Sequence, residues 1–167
     1  SSNADDVPKL ADIINELSGK SWPTLSERAK KLKSVIKEIK RRAGRKDIHM
    51  VSGTTKLSWF VAPENWTPFD RLAAQAAGAT KVDTMDRMLE FYGILDGMGY
   101  LAASQAITRH LETAGLGEVR GERVLDKRLM LSVQGDASAE NFRDVARGFG
   151  EALPRGFREQ VFEVGRA

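Results

Sequence analysis

The chain has 167 residues, of which 41% are hydrophobic and 29% charged, and its formal net charge is +3. These values are typical of one soluble globular domain rather than of a disordered or fibrous chain. The absence of cysteine excludes disulfide scaffolds, thiolate metal sites and cysteine nucleophiles. No apolar run approaches the roughly 20 residues that a membrane span needs, and the two histidines lie far apart in the sequence. We therefore expect a cytoplasmic protein with no membrane contact, no metal and no cofactor.

We expect the first four residues of the chain to lie outside the fold. Ser2-Asn3-Ala4 matches the remnant of a cleaved expression tag, so residues 1–4 are excluded from the reasoning below. We expect residues 5–167 to form a single helical domain.

Two helices are predicted in the first quarter of the chain. Pro8 suits the first turn of a helix that ends near Gly19. Thr24 and Glu27 have the spacing of a capping box and mark the start of a longer helix, which ends near Gly44. Its apolar side chains recur every three or four residues, at Leu25, Ala29, Leu32, Ile36, Ile39 and Ala43, with Val35 beside them. We expect this stripe to pack in its own domain, because it is too short and too rich in alanine for a coiled-coil seam.

The next stretch is harder to interpret. Strand signals are weak here, although residues 47–51 are compatible with an extended segment, and Gly53 is expected to break the chain. The apolar residues within 54–62 are compatible with either a strand or one face of a helix. Pro63 is expected to end this element in either case. A helix then starts with Thr67 as N-cap, Pro68 in the first helical position and Asp70 in the first turn, and continues to Gly78.

Further helices are predicted over the rest of the chain. They run from Asp83 to about Gly97, from Tyr100 to about Ala114, from Glu122 to Val133, from Asp136 or Ser138, and after Pro154. Residues 129–131 also fit a strand. The fold class is therefore mainly α, with about seven helices and at most a short extended segment.

Positive charge is concentrated between Thr24 and Asp47. This segment carries ten lysines and arginines against three acidic residues, a net +7, so the remainder of the chain carries −4. Such asymmetry is typical of a surface that meets phosphates, and it predicts nucleic acid, most simply DNA, as the partner. The candidate contact residues are Lys37, Lys40, Arg41, Arg42, Arg45 and Lys46. The alternative is a solvated helix face built from good helix formers.

A second group of candidates lies within residues 53–70. Lys56 is followed by an aromatic-rich stretch, a proline break and then Asp70 near a helix start. A lysine partly buried among aromatic side chains has a lowered pKa and can act as a nucleophile, while a nearby carboxylate can receive its proton. Three aromatic residues are candidates for stacking an unpaired base: Trp59, Trp66 and Phe69.

These residues resemble the catalytic centre of the helix-hairpin-helix DNA glycosylases. The pattern is Gly-x-x-Lys at Gly53–Lys56, an apolar segment ending at Pro63, and Pro68 shortly before Asp70. It is closer still to a branch of uncharacterised bacterial proteins with an 8-oxoguanine-glycosylase-like fold. The resemblance implies that Lys56 attacks C1′ of a flipped nucleoside to form a Schiff base and that Asp70 assists departure of the base.

Other interpretations remain open for the same residues. Asp70 is also explained as a helix-start carboxylate, Lys56 as a solvated lysine, and the aromatic residues as core. We accordingly retain two alternatives to a DNA-binding, glycosylase-like protein: a non-enzymatic helical module that binds nucleic acid or an acidic protein, and a structural domain of a mobile-element or phage protein.

Overall fold

The structure is a computed structural model that describes residues 21–43 and 50–133. The predicted helices at residues 8–19, after Asp136 and after Pro154 lie outside these ranges, as do residues 1–4. The chain divides into two compact units, Ser1–Asp96 and Gly97–Ala167. The prediction of one domain over residues 5–167 stays a prediction.

The described residues form six helices and no strand, which confirms the mainly α fold class. The helices are α1 (Leu25–Ala43), α2 (Met50–Val61), α3 (Arg71–Ala76), α4 (Thr84–Gly97), α5 (Tyr100–Thr113) and α6 (Gly121–Val133). Residues 129–131 are therefore helical. Within the described ranges, no helix is both long and apolar enough to cross a membrane, and no group of three or more histidine or acidic side chains could hold a metal ion.

Helix α1 follows the sequence prediction closely. The hydroxyl of Thr24 accepts a hydrogen bond from the amide of Glu27 at 3.1 Å, as a capping residue does. Five residues of the apolar stripe are buried, namely Leu25, Ala29, Leu32, Val35 and Ile36. Ile39 is only half-buried, so the burial expected for it is confirmed in part.

A second carboxylate completes the start of α1. Asp96, near the end of α4, accepts hydrogen bonds from the amides of Leu25 and Ser26, each at 2.9 Å, and from the Ser26 hydroxyl. The first amides of a helix have no partner within it, so this carboxylate satisfies two of them. It also fixes α4 against the start of α1.

Helix α2 corrects two predictions. Met50 and Val51 open the helix, so the extended segment predicted to reach Val51 is wrong there. Gly53 lies inside α2 and does not break the chain. A mid-helix glycine costs only roughly 0.5–1 kcal/mol relative to alanine, which the buried contacts of the neighbouring residues offset.

Helix α3 starts later than the sequence predicts. Asp70, not Thr67, is the N-cap, and its carboxylate accepts from the amides of Leu72 and Ala73 at 2.8 and 3.3 Å. Thr67 is instead buried in the preceding loop, where its carbonyl accepts the Tyr92 hydroxyl. The helix ends at Ala76, before Gly78, whose φ of 93° suits glycine.

The second unit, as far as the structure describes it, consists of α5 and α6. Its buried apolar side chains are Tyr100, Ala103, Ile107, Leu111, Leu125 and Leu129. The start of α6 lies directly on α5: the amide of Gly121 donates to the Thr108 hydroxyl at 2.9 Å. A Cβ atom added to Gly121 would lie 1.9 Å from the Ser104 carbonyl oxygen, so only glycine fits this crossing.

Candidate functional site

A buried arginine joins α1 to α2. Arg28 is only 2% exposed, and its guanidinium donates to the Ser58 hydroxyl at 2.7 Å and to the carbonyls of Ser58 and Ala62 at 2.8 and 2.7 Å. It also lies 4.6 Å from the centre of the Trp66 ring. The carbonyls at a helix C-terminus carry partial negative charge, so they are suited to this cation. Burial lowers the pKa of Arg28 to about 10, and the group stays charged at neutral pH.

The loop after α2 is held by its own aromatic residues. The indole of Trp66 donates to the carbonyl of Thr55 at 3.1 Å, and the amide of Phe69 donates to the Thr55 hydroxyl at 3.0 Å. Trp66 stacks on Tyr92 with ring centres 4.3 Å apart, and Phe69 meets Phe91 edge-on. Residues 62–70 therefore form a tightly hydrogen-bonded connection between α2 and α3.

Two of the three predicted base-stacking residues belong to this core. Trp66 is 0% exposed and Phe69 is 2% exposed, so their rings are occupied by packing within the protein. A nucleobase would reach them only if this core opened. The interpretation of both residues as core side chains accounts for what the structure shows.

Lys56 and Asp70 do not lie in the surroundings that the sequence led us to expect. Lys56 is exposed on α2, because the buried side of that helix is formed by other residues. The partial burial among aromatic side chains, on which its role as a nucleophile was argued, is therefore not found. Asp70 has the helix-capping role described above, with its carboxylate engaged by two backbone amides.

The outer side of α2 carries aromatic and aliphatic groups. Trp59 is half-buried and meets Phe60 edge-on at 5.1 Å between ring centres. Phe60 is 74% exposed, and Leu57 and Val61 are 36% and 39% exposed. Phe60 is not among the predicted base-stacking residues, yet it is the aromatic residue of residues 53–70 most open to solvent.

The basic residues of α1 fall into two groups. Lys30, Lys37 and Arg41 are exposed and lie on the side opposite the buried stripe; we call these three the basic stripe. A hydrogen bond from Arg41 to Glu38 raises the pKa of Arg41. Arg42 lies in the last turn of α1. Arg45 and Lys46 lie outside the described residues.

The other group faces acidic residues of α4. Lys33 forms an ion pair with Asp86 at 3.0 Å. The amide of Asp86 and, more weakly, Lys40 and Lys33 lower the pKa of Asp83. Lys40 is half-buried and is close enough to Asp83 to affect its pKa. Its charge is therefore partly neutralised within the protein, unlike that of Lys30 or Lys37.

Comparison of the chain with protein-family models, curated proteins and solved structures gives no match. The candidate site is accordingly judged on its own geometry.

One signal for the buried arginine was present in the sequence. Arg28 follows Leu25 by three residues and precedes Leu32 by four, which places it on the edge of the apolar stripe. Counting it only as part of a basic segment obscured its position.

Proposed function

We propose that this protein binds nucleic acid through the basic stripe of α1, without preference for sequence. One observation carries the proposal: Lys30, Lys37 and Arg41 are all exposed on the side of α1 that turns away from the core. The three residues span about 16 Å at 1.5 Å per residue. Phosphates follow one another at about 3.4 Å of axial rise along each strand, so the stripe spans roughly five phosphates, and its three cations can contact up to three of them.

The lack of sequence preference follows from the chemistry of the stripe. Lysine and arginine that meet phosphates contribute affinity but carry no sequence information. Specific readout needs side chains that reach base edges in a groove. The exposed polar residue within the stripe, Ser34, is short and donates to the carbonyl of Lys30.

Charge removal at the stripe tests the proposal. We expect the triple variant Lys30→Gln, Lys37→Gln, Arg41→Gln to lose at least about tenfold in affinity for duplex DNA at low salt, since each phosphate contact is lost with its counterion release. Fluorescence anisotropy with a labelled duplex measures the affinity.

The matched control removes the same charge elsewhere. Arg71, Lys81 and Arg109 are exposed and lie outside α1. The variant with glutamine at all three should bind within about threefold of the wild type, because a general effect of net charge is weaker than loss of direct contacts. Equal losses in both triple variants, or no binding by the wild type, would contradict the proposal.

A second candidate function is base removal with Schiff-base formation at Lys56, in a glycosylase-like fold. It is supported by the position of Lys56 on an exposed helix face, where a substrate can reach it, and by Asp70 at the start of the next helix. The burial of Trp66 and Phe69 weighs against it. Borohydride trapping on oligonucleotides with oxidised or abasic sites should give an adduct with the wild type and none with Lys56→Gln. An equal adduct in both would exclude Lys56 as the nucleophile.

A further inference from the structure

Helix α2 has its polar and apolar sides reversed relative to an ordinary surface helix. Its buried side is formed mostly of small polar residues: Val51, Thr54, Thr55 and Ser58. Its exposed side consists of Gly53, Lys56, Leu57, Phe60 and Val61, which we call the outward face of α2. A surface helix normally buries its apolar stripe and exposes polar groups.

The inward polar residues have a structural reason. The hydroxyl of Thr55 accepts a hydrogen bond from the amide of Phe69, and the hydroxyl of Ser58 accepts one from the guanidinium of Arg28. Buried polar groups must find hydrogen-bond partners, and these two residues provide them. The polar side is therefore explained by the fold.

The outward apolar residues have no such explanation. Leu57, Phe60 and Val61 are spaced three and four residues apart, so they adjoin on one face, and each is more than a third exposed. A contiguous exposed apolar patch on a protein surface marks a site of interaction.

The chemistry of the face indicates the ligand. Lys56 is the only charged residue in the 12 of α2, and it lies one turn before Phe60 on the same side. Phe60 in turn contacts Trp59, so two aromatic rings that touch each other lie within about one helical turn of Lys56. A positive charge beside exposed aromatic rings is the combination that binds single strands, in which bases stack on the rings and phosphates meet the cation.

We propose that the outward face of α2 binds unpaired bases of single-stranded DNA, with Phe60 as the stacking surface and Lys56 as the phosphate contact. This inference rests on the proposed function, since it assumes that the protein meets nucleic acid. It assigns a binding role to Phe60, which takes no part in the duplex binding proposed for the basic stripe of α1.

Two single strands of equal charge test the inference. One is oligothymidylate of about 12 nucleotides, and the other is a strand of equal length built from abasic residues, which keeps the phosphates but lacks the bases. We expect the wild type to bind oligothymidylate about tenfold more tightly, the scale of one or two stacked bases. Phe60→Ala should bind both strands alike, and Lys56→Gln should weaken both.

Matched controls separate stacking from a loss of structure. Leu72 is 45% exposed on α3, so Leu72→Ala removes a comparable apolar side chain outside the outward face and should keep the wild-type preference. Phe60→Ala should also keep the wild-type melting temperature and its affinity for duplex DNA.

The outcomes separate this inference from the proposed function. Binding that depends on the basic stripe but shows no preference for bases would overturn this inference alone. A preference that survives in Phe60→Ala would do the same. No binding to either strand or to duplex would overturn both proposals.

Discussion

At the scale of single residues, Arg28 connects the folding of unit Ser1–Asp96 to the position of the candidate site. Its guanidinium meets the carbonyls at the end of α2. That contact fixes the end of α2 and the loop that leads to Asp70. A charged donor to a buried acceptor contributes more than a neutral one, roughly 1.5–3 kcal/mol.

Arg28→Lys tests this interpretation. A lysine keeps the charge but lacks the planar fork of donors, so it cannot reach Ser58 and Ala62 together while lying against Trp66. We expect a loss of roughly 2 kcal/mol in the free energy of unfolding, measured by urea denaturation. Lys30→Ala, at an exposed position of the same helix, should change it by less than about 0.5 kcal/mol. A small effect of Arg28→Lys would show that the charge alone suffices.

Ile36 provides the corresponding test of the apolar stripe. It is 0% exposed, and Ile36→Ala should cost about 2–5 kcal/mol in the free energy of unfolding, as large-to-small core changes do. Ile39→Ala should cost clearly less, because Ile39 is half-buried. Equal losses of unfolding free energy at the two positions would show that Ile39 is as fully buried as Ile36.

At the scale of elements, the helices divide into those that sequence predicts well and those that it does not. For α1 and α4 the N-capping side chains, Thr24 and Asp83, accept the expected amides, and apolar spacing gives the same boundaries. For α2 the two signals conflict. Gly53 suggests a break, and the buried side is made of threonine and serine, so hydropathy alone leaves strand and helix equally possible.

The start of α3 shows a related limit of sequence reasoning. Thr67 and Asp70 both suit an N-cap, and Pro68 suits the first helical position after Thr67. The choice between them depends on tertiary contacts, since Thr67 is buried and its carbonyl is bound by Tyr92. No local pattern encodes that contact.

The contact of α6 with α5 gives a prediction for unit Gly97–Ala167. Gly121→Ala places a Cβ atom against the backbone carbonyl of Ser104, which cannot move without shifting α5. Overpacking of this kind costs typically about 1–3 kcal/mol. We expect lower protection from hydrogen exchange at the amides of both helices.

Gly117→Ala is the matched control for this change. Its added Cβ would meet only the Glu112 side chain, at an ordinary 3.7 Å. It should therefore leave hydrogen exchange within α5 and α6 near the wild-type level. Unchanged protection in Gly121→Ala would contradict the close crossing.

For the whole molecule, the sequence predicts where along the chain positive charge is concentrated. It does not predict which of these basic side chains the fold exposes. The segment 24–47 is strongly basic in the sequence, but the fold places its described side chains in different surroundings. Arg28 is buried, Lys33 is paired with Asp86 and the basic stripe is exposed. Lys40, a candidate from the sequence, is half-buried near Asp83. Lys30 was not among the candidates but belongs to the basic stripe.

The sequence predicts which residues form the candidate site within residues 53–70, but not which of their side chains are exposed and which are buried. The sequence places a lysine, aromatic residues and an aspartate close together, but their exposure depends on tertiary contacts. Lys56 and Phe60 face outward because of the reversed character of α2, for which an amphipathic pattern read in the ordinary direction gives the opposite assignment. Trp66 and Phe69 are buried because the loop after α2 packs on α4.

The salt dependence of duplex binding is the sharpest test of nucleic-acid binding through the basic stripe of α1. Each phosphate contact adds about −0.9 to the slope of log affinity against log salt concentration. If the basic stripe makes the contacts, removal of its three charges should flatten the wild-type slope by about 2 to 3 units. The Arg71, Lys81 and Arg109 control should keep the wild-type slope. An identical slope in both triple variants would contradict the assignment of nucleic-acid binding to α1.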